Sequence, residues 1–241
     1  MDLFLTSSPC DNDVPAGVSL PCIFFTRNGF VDALRGCFRP GSAGVILAAS
    51  PHEHDLNDEM AHTFAGCFAY HGMPFSRTVL IDGRNPHEAA EAIRGAGVVI
   101  LGGGHVPTQN AFLHEMGVAP LLQGFEGIVM GISAGSMNCA ATVYAQPEWR
   151  GEATDPRYRR FLPGLGLTDI NVLPHLQETR HLLLDGLRLF EDITFADSHD
   201  RAFLALPDGS YVHNRTLHGE AWRIAEGRME RLTGEGDVLT L

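Results

Sequence analysis

The sequence predicts an α/β fold: a mostly parallel sheet flanked by helices on both faces, with a C-terminal antiparallel hairpin. Two observations carry this prediction. Short apolar runs alternate with segments of helical period, the signature of a βαβ array. From Ser210 onward the pattern changes to short alternating runs broken at Gly219, Gly227 and Gly234, which suits antiparallel strands at a sheet edge.

The elements follow in order. The first strand is "LFLTS" (3–7), and "NGFVDALRGCF" (28–38) reads as a helix with Asn28 as its N-cap. "AGVILAAS" (43–50) is the next strand, and "DLNDEMAHTFAGCFAYHG" (55–72) a helix stopped by glycine. "RTVLIDG" (77–83) and "GVVILGGG" (97–104) are strands on either side of "NPHEAAEAIRGAG" (85–97), a helix with start and stop signals. "TQNAFLHEMGVAPLLQGF" (108–125) is read as one helix, and "GIVMGIS" (127–133) as a buried strand. "AGSMNCAATVYA" (134–145) begins a helix with Cys139 inside it, "DINVLPHL" (169–176) is a strand, "ETRHLLLDGLRLF" (178–190) a helix and "RAFLALP" (201–207) a strand. The segment "AQPEWRGEATDPRYRRFLPG" (145–164) is the longest irregular stretch, and long loops in compact domains are often functional.

A chain of 241 residues, 44% hydrophobic, is expected to bury one core as a single domain spanning 1–241. Its net charge of −12 argues against nucleic acid as a partner, because phosphate binding needs clustered cations. With no long apolar segment and no basic leader, no membrane association is expected, and a cytoplasmic location follows. Five cysteines, Cys10, Cys22, Cys37, Cys67 and Cys139, show no paired spacing and read as reduced thiols packed as small hydrophobes.

Chemistry concentrates around Gly131-Ile-Ser-Ala-Gly135, a G-x-S-x-G pattern between a buried strand and a helix start. There Ser133 would sit on a tight turn as a nucleophile, and the Ala134 N–H would face a developing oxyanion. The glycine run Gly102, Gly103 and Gly104 on a neighbouring strand is the expected source of a second N–H, since it lacks the spacing of a dinucleotide loop. A serine nucleophile needs a base and an orienting acid. His175, at the end of a predicted strand, and Asp208 in "FLALPDGSY" meet those needs; Asp197 and Asp200 in "DSHDR" are rival acids.

The set "VVILGGG", "GISAGSMN", "INVLPHL" and "ALPDGSY" resembles the peptidase E (aspartyl dipeptidase) family of serine peptidases, whose fold is that of class I glutamine amidotransferases. The resemblance covers most of the chain. It implies a catalytic triad of Ser133, His175 and Asp208, oxyanion donors at Gly104 and Ala134, small peptides with an N-terminal aspartate as substrate, and no cofactor. Two departures stand out: the family's acid is usually glutamate, and His105 stands where the family usually has asparagine. A substrate carboxylate would call for an arginine, from Arg150, Arg157, Arg159, Arg160 or Arg180. A homodimer is compatible with this reading.

Other readings are carried alongside. "PGLGL" (163–167) resembles the cyanophycinase branch, which would imply β-aspartyl-arginine cleavage. An α/β-hydrolase esterase would use Ser133, then Asp197 or Asp200, then His213 or His218. A catalytically silent binding module would keep the fold alone. No metal is expected: His52, His54, Asp55, Asp58 and His62 are close in sequence, but they read as a loop and a solvated helix face.

Overall fold

Five of the apolar runs pair side by side as parallel strands. In spatial order they are Asp2–Thr6, Ile128–Ile132, Val98–Leu101, Gly44–Leu47 and Thr78–Ile81, in a computed structural model that describes residues 1–241. Successive residues of a strand point to opposite faces, and here both faces are buried. Leu3, Val45, Leu47, Val99, Leu101 and Val129 enter one apolar cluster, while Phe4, Ile46, Ile100, Ile128 and Met130 enter the other. The helices Phe30–Cys37 and His54–Tyr70 supply Leu34, Phe64 and Phe68 to the second cluster. The helices Ala89–Arg94 and Val106–Glu115 supply Ile93 and Leu113 to the first, which gives the helix–sheet–helix layering.

The sheet continues past Asp2–Thr6 through three antiparallel strands, Tyr211–His213, Thr216–His218 and Val238–Thr240. The antiparallel C-terminus is therefore present but divided. Ala221–Ala225 and Arg228–Thr233 instead extend a second, four-stranded sheet, in which Val172–Leu173 and Phe203–Ala205 pair in parallel. The two runs around His175 and before Asp208 thus form their own sheet beside the main one. Apolar pattern marks a run as a strand without saying which sheet receives it.

Four expectations need correction. The stretch 178–190 is not a helix: after one helical turn, Leu176–Thr179, it becomes a hairpin of Leu183–Leu184 and Leu187–Arg188. Asp185 and Gly186 both take positive φ (53° and 83°), so the Asp-Gly turn overrides the helical spacing of the leucines. Asn28 does not cap the helix that follows, which begins at Phe30; its own φ is 57°, and its side chain bonds the Gly209 carbonyl (2.9 Å) and the Gly236 N–H (3.1 Å). The helix read over 108–125 is two, Val106–Glu115 and Val118–Leu122, broken where Gly117 turns left-handed. The helix after Ser133 is only Ala134–Asn138, so Cys139 lies just past its end, fully buried.

The long loop is held at both ends by pairing of Thr142–Tyr144 with Phe161–Pro163. No two cysteines are disulfide-bonded. Cys10, Cys22 and Cys67 meet beside Phe24, Phe64 and Phe68, as packed thiols. No helix is long and apolar enough to cross a membrane.

Candidate active site

The C-terminal ends of the parallel strands are where open α/β sheets place their sites, and the strand Ile128–Ile132 ends there at Ser133. Its backbone (φ 51°, ψ −112°) is one that side-chain-bearing residues rarely adopt, a strain typical of functional turns. The turn is anchored by the Ser133 N–H, which donates to the Thr6 and Ser7 carbonyls of the adjacent strand end (3.1 and 3.0 Å). Both flanking glycines are sterically required. A Cβ on Gly131 would lie 2.6 Å from the Ser136 nitrogen, and one on Gly135 would run into the Leu101 carbonyl.

His175 closes on Ser133 from the second sheet. It too has positive φ (54°), and its N–H donates to Ser7 Oγ at 2.7 Å. Its Nε2 lies 2.9 Å from Ser133 Oγ and its Nδ1 2.9 Å from Asp208 Oδ1. Neutral imidazole then donates from Nδ1 to the carboxylate and accepts the serine proton at Nε2. Asp208 is held in turn: Oδ1 accepts from Ser7 Oγ (2.6 Å) and the Ser8 N–H (3.0 Å), and Oδ2 from Gln177 Nε2 (2.7 Å). The Asp208 N–H donates to Gln177 Oε1 at 3.1 Å, so Gln177 grips both backbone and side chain.

The electrostatics agree with this chain. Burial disfavours the charged imidazole of His175, but the hydrogen bond and charge of Asp208, with Glu178 and Glu148 beyond, outweigh it and raise the pKa above 6.5. Burial of Asp208 also opposes its charge, yet hydrogen bonds from His175 and Ser7 hold its pKa below 3.8.

The glycine run packs against the serine. A Cβ on Gly103 would stand 3.5 Å from Ser133 Cβ, and Gly104 takes φ 155° with its N–H unmatched by any acceptor in the protein. Ala134 opens the helix on the other side. The arrangement puts Gly103 and the first residue of a helix beside a hydroxyl that is hydrogen-bonded to an imidazole.

His105 is packed into the site wall, with both ring nitrogens engaged. Nδ1 meets Thr108 Oγ1 and Nε2 meets Glu152 Oε1, each at 2.8 Å, and Trp149 stacks on the ring at 3.7 Å. Of the arginines, Arg157 pairs with Asp155 and Arg160 with Asp197 (3.3 Å), while Arg150 and Arg159 are exposed. Arg180 lies on the helical turn after His175, its guanidinium carbon 4.4 Å from the Trp222 ring centre, with no carboxylate partner.

The rival residues are drawn elsewhere. Asp197 accepts from Tyr144 Oη (2.9 Å) as well as meeting Arg160, His213 faces Asp2 and Cys37, and His218 stacks on Tyr211. Asp58 is taken by Arg84, which also holds buried Asp82. Sequence reasoning missed Ser7, Ser8, Gln177 and Glu148. For Ser7 the one available signal was its place at the end of the first strand, since its partner Asp208 is 201 residues away. Glu148 is an acidic residue of the long loop, exposed overall but with its carboxyl near enough to His175 to feel its charge; desolvation of the carboxyl, then the Glu152 charge, push it up to about 7.

The model of peptidase family S51 matches residues 47–219, a span that contains Gly104, Ser133, His175 and Asp208. Two solved structures share the fold. A peptidase from an acI-B1 Actinobacterium is 15% identical with a TM-score of 0.67, over 100% of this chain and 96% of that one. A putative peptidase E protein from Listeria monocytogenes EGD-e is 18% identical with a TM-score of 0.53, over 96% and 98% of the two chains. No curated protein sequence matches this chain.

Proposed function

The chain belongs to peptidase family S51 and is a serine peptidase, and from that premise we propose that it hydrolyses small peptides, foremost dipeptides with an N-terminal aspartate, through Ser133, His175 and Asp208. The observation that supports this most is the unbroken line of hydrogen bonds from Ser133 Oγ through His175 to Asp208, each 2.9 Å. His175 takes the Ser133 proton as the hydroxyl oxygen attacks the peptide carbonyl, and the Gly104 and Ala134 N–H groups hold the oxyanion. The imidazolium then protonates the leaving amine. Water attacks the acyl-enzyme by the same route, returning the proton to Ser133 and releasing the acid. Asp208 keeps the imidazole in the required tautomer and stabilises its charged form.

The surroundings support a zwitterionic first residue. Glu148, whose carboxyl interacts with His175, would face the α-ammonium, and Arg180, free of any acid, would take the side-chain carboxylate. A panel of dipeptides varying the first residue tests this. Aspartate is expected to give the highest kcat/KM, with Arg180→Leu removing that preference mainly through KM. Equal rates across the panel would reject the aspartate preference and leave the peptidase chemistry standing.

A pH dependence follows from the raised His175 pKa. The base must be neutral, so activity is lost as pH falls through a value above 6.5. Glu148 favours the charged imidazole only while ionised, and it takes up its own proton at about 7, so Glu148→Gln is expected to move this acid limb of kcat/KM only slightly to lower pH. A limb that stays in place would disconnect Glu148 from the base.

A further inference from the structure

A second cluster lies away from the peptidase centre, where three elements meet. Asp2 begins the central strand, His213 lies on the antiparallel strand beside it, and Cys37 ends the helix Phe30–Cys37. We propose that Asp2, Cys37 and His213 form a zinc site that clamps these elements together. Their ligand atoms all lie within 4.8 Å of one another. His213 Nε2 is 3.2 Å from Asp2 Oδ1 and 3.8 Å from Cys37 Sγ. A tetrahedral zinc ion with ordinary bond lengths spaces such N, O and S atoms about 3.3–3.6 Å apart, so both separations are within a few tenths of an ångström of a ligating arrangement.

Without a cation the imidazole and the Cys37 thiol can both donate to Asp2, a pairing that keeps the thiol protonated. A cation between them would use the lone pairs of all three at once. The ring is already positioned: His213 stacks on Phe4 with centroids 4.2 Å apart and planes 8° from parallel. The donor set of one thiolate, one imidazole and one carboxylate suits a borderline-soft divalent ion, and its two negative charges balance zinc. The side chains of His213 and Asp2 are 22% and 41% exposed, which leaves an open side for a water as the fourth ligand. The Cys10, Cys22 and Cys67 trio is less suited, because three thiolates on a divalent ion would leave one net negative charge buried among phenylalanines. Positions 2, 37 and 213 have no motif spacing, so only the fold brings them together.

The test is titration of reduced, metal-stripped full-length protein with zinc against a chromophoric chelator, repeated with cobalt(II) as a spectroscopic probe. One equivalent per chain is expected, with a tetrahedral cobalt spectrum and a thiolate-to-cobalt band. Cys37→Ser should abolish that band and weaken binding about tenfold or more, and His213→Gln should also weaken it, whereas His87→Asn, at an exposed surface histidine, should change neither. Peptidase activity should persist in stripped protein. Less than stoichiometric binding, an octahedral cobalt spectrum, or wild-type affinity in Cys37→Ser would overturn the proposal.

Discussion

Replacing Ser133 with alanine is expected to lower kcat by about 10⁶-fold, the scale at which removal of a serine nucleophile leaves only binding and oxyanion stabilisation. The change removes one oxygen and adds nothing. The residue already occupies a strained turn, and Cβ is retained, so the packing of Gly103 against it at 3.5 Å should persist. KM should therefore change little, and the urea unfolding midpoint should stay close to that of the wild type. Steady-state kinetics beside an unfolding curve check both halves. A variant that keeps a tenth of wild-type kcat would mean that the attacking group is something other than Ser133.

The second large effect is at Asp208. Asp208→Ala is expected to cost about 10⁴-fold in kcat, because the imidazole loses both its tautomer lock and the charge that stabilises its protonated form. Asp208→Asn should cost less than the alanine change. Three donors converge on Oδ1, from His175, Ser7 and Ser8, and they favour an amide oxygen in that position. The amide nitrogen would then face Gln177, whose own amide can turn to accept from it only by giving up the bond from the backbone N–H of residue 208, a further cost short of losing the imidazole's partner. The tautomer survives in that arrangement while the charge is lost. Kinetics of the two variants side by side check the order; an asparagine variant as impaired as alanine would show that Ser7, Ser8 and Gln177 do not hold the tautomer.

Much of the fold was legible because its strands are buried on both faces. Runs such as "GVVILGGG" and "GIVMGIS" are apolar throughout, and their alternate residues feed two separate clusters. What was not legible depends on partners distant in the chain or on turn chemistry that outranks periodicity. The leucines of 178–190 have helical spacing, but Asp185-Gly186 folds them into a hairpin. Asn28 has the residue type of a cap, yet two loops at 209 and 236 engage its side chain.

The candidate site divides in the same way. Gly131 and Gly135 could be read from sequence because their need is local: any side chain there meets the turn or the neighbouring strand. The groups around Asp208 could not, since Ser7 and Ser8 reach it across the sheet. His105, the departure from the family's asparagine, would meet substrate from a fixed position, since Thr108, Glu152 and Trp149 engage its ring in ways that only the fold supplies.

The central claim is that His175 activates Ser133 in the folded protein. It is tested most directly by reaction with a fluorophosphonate, followed by mass spectrometry of the labelled peptide. One adduct is predicted, on Ser133, forming rapidly in native wild type, slowly in His175→Ala, at the wild-type rate in His218→Ala and not at all after unfolding. An adduct on another residue, or a rate on Ser133 unchanged by His175→Ala, would contradict the account.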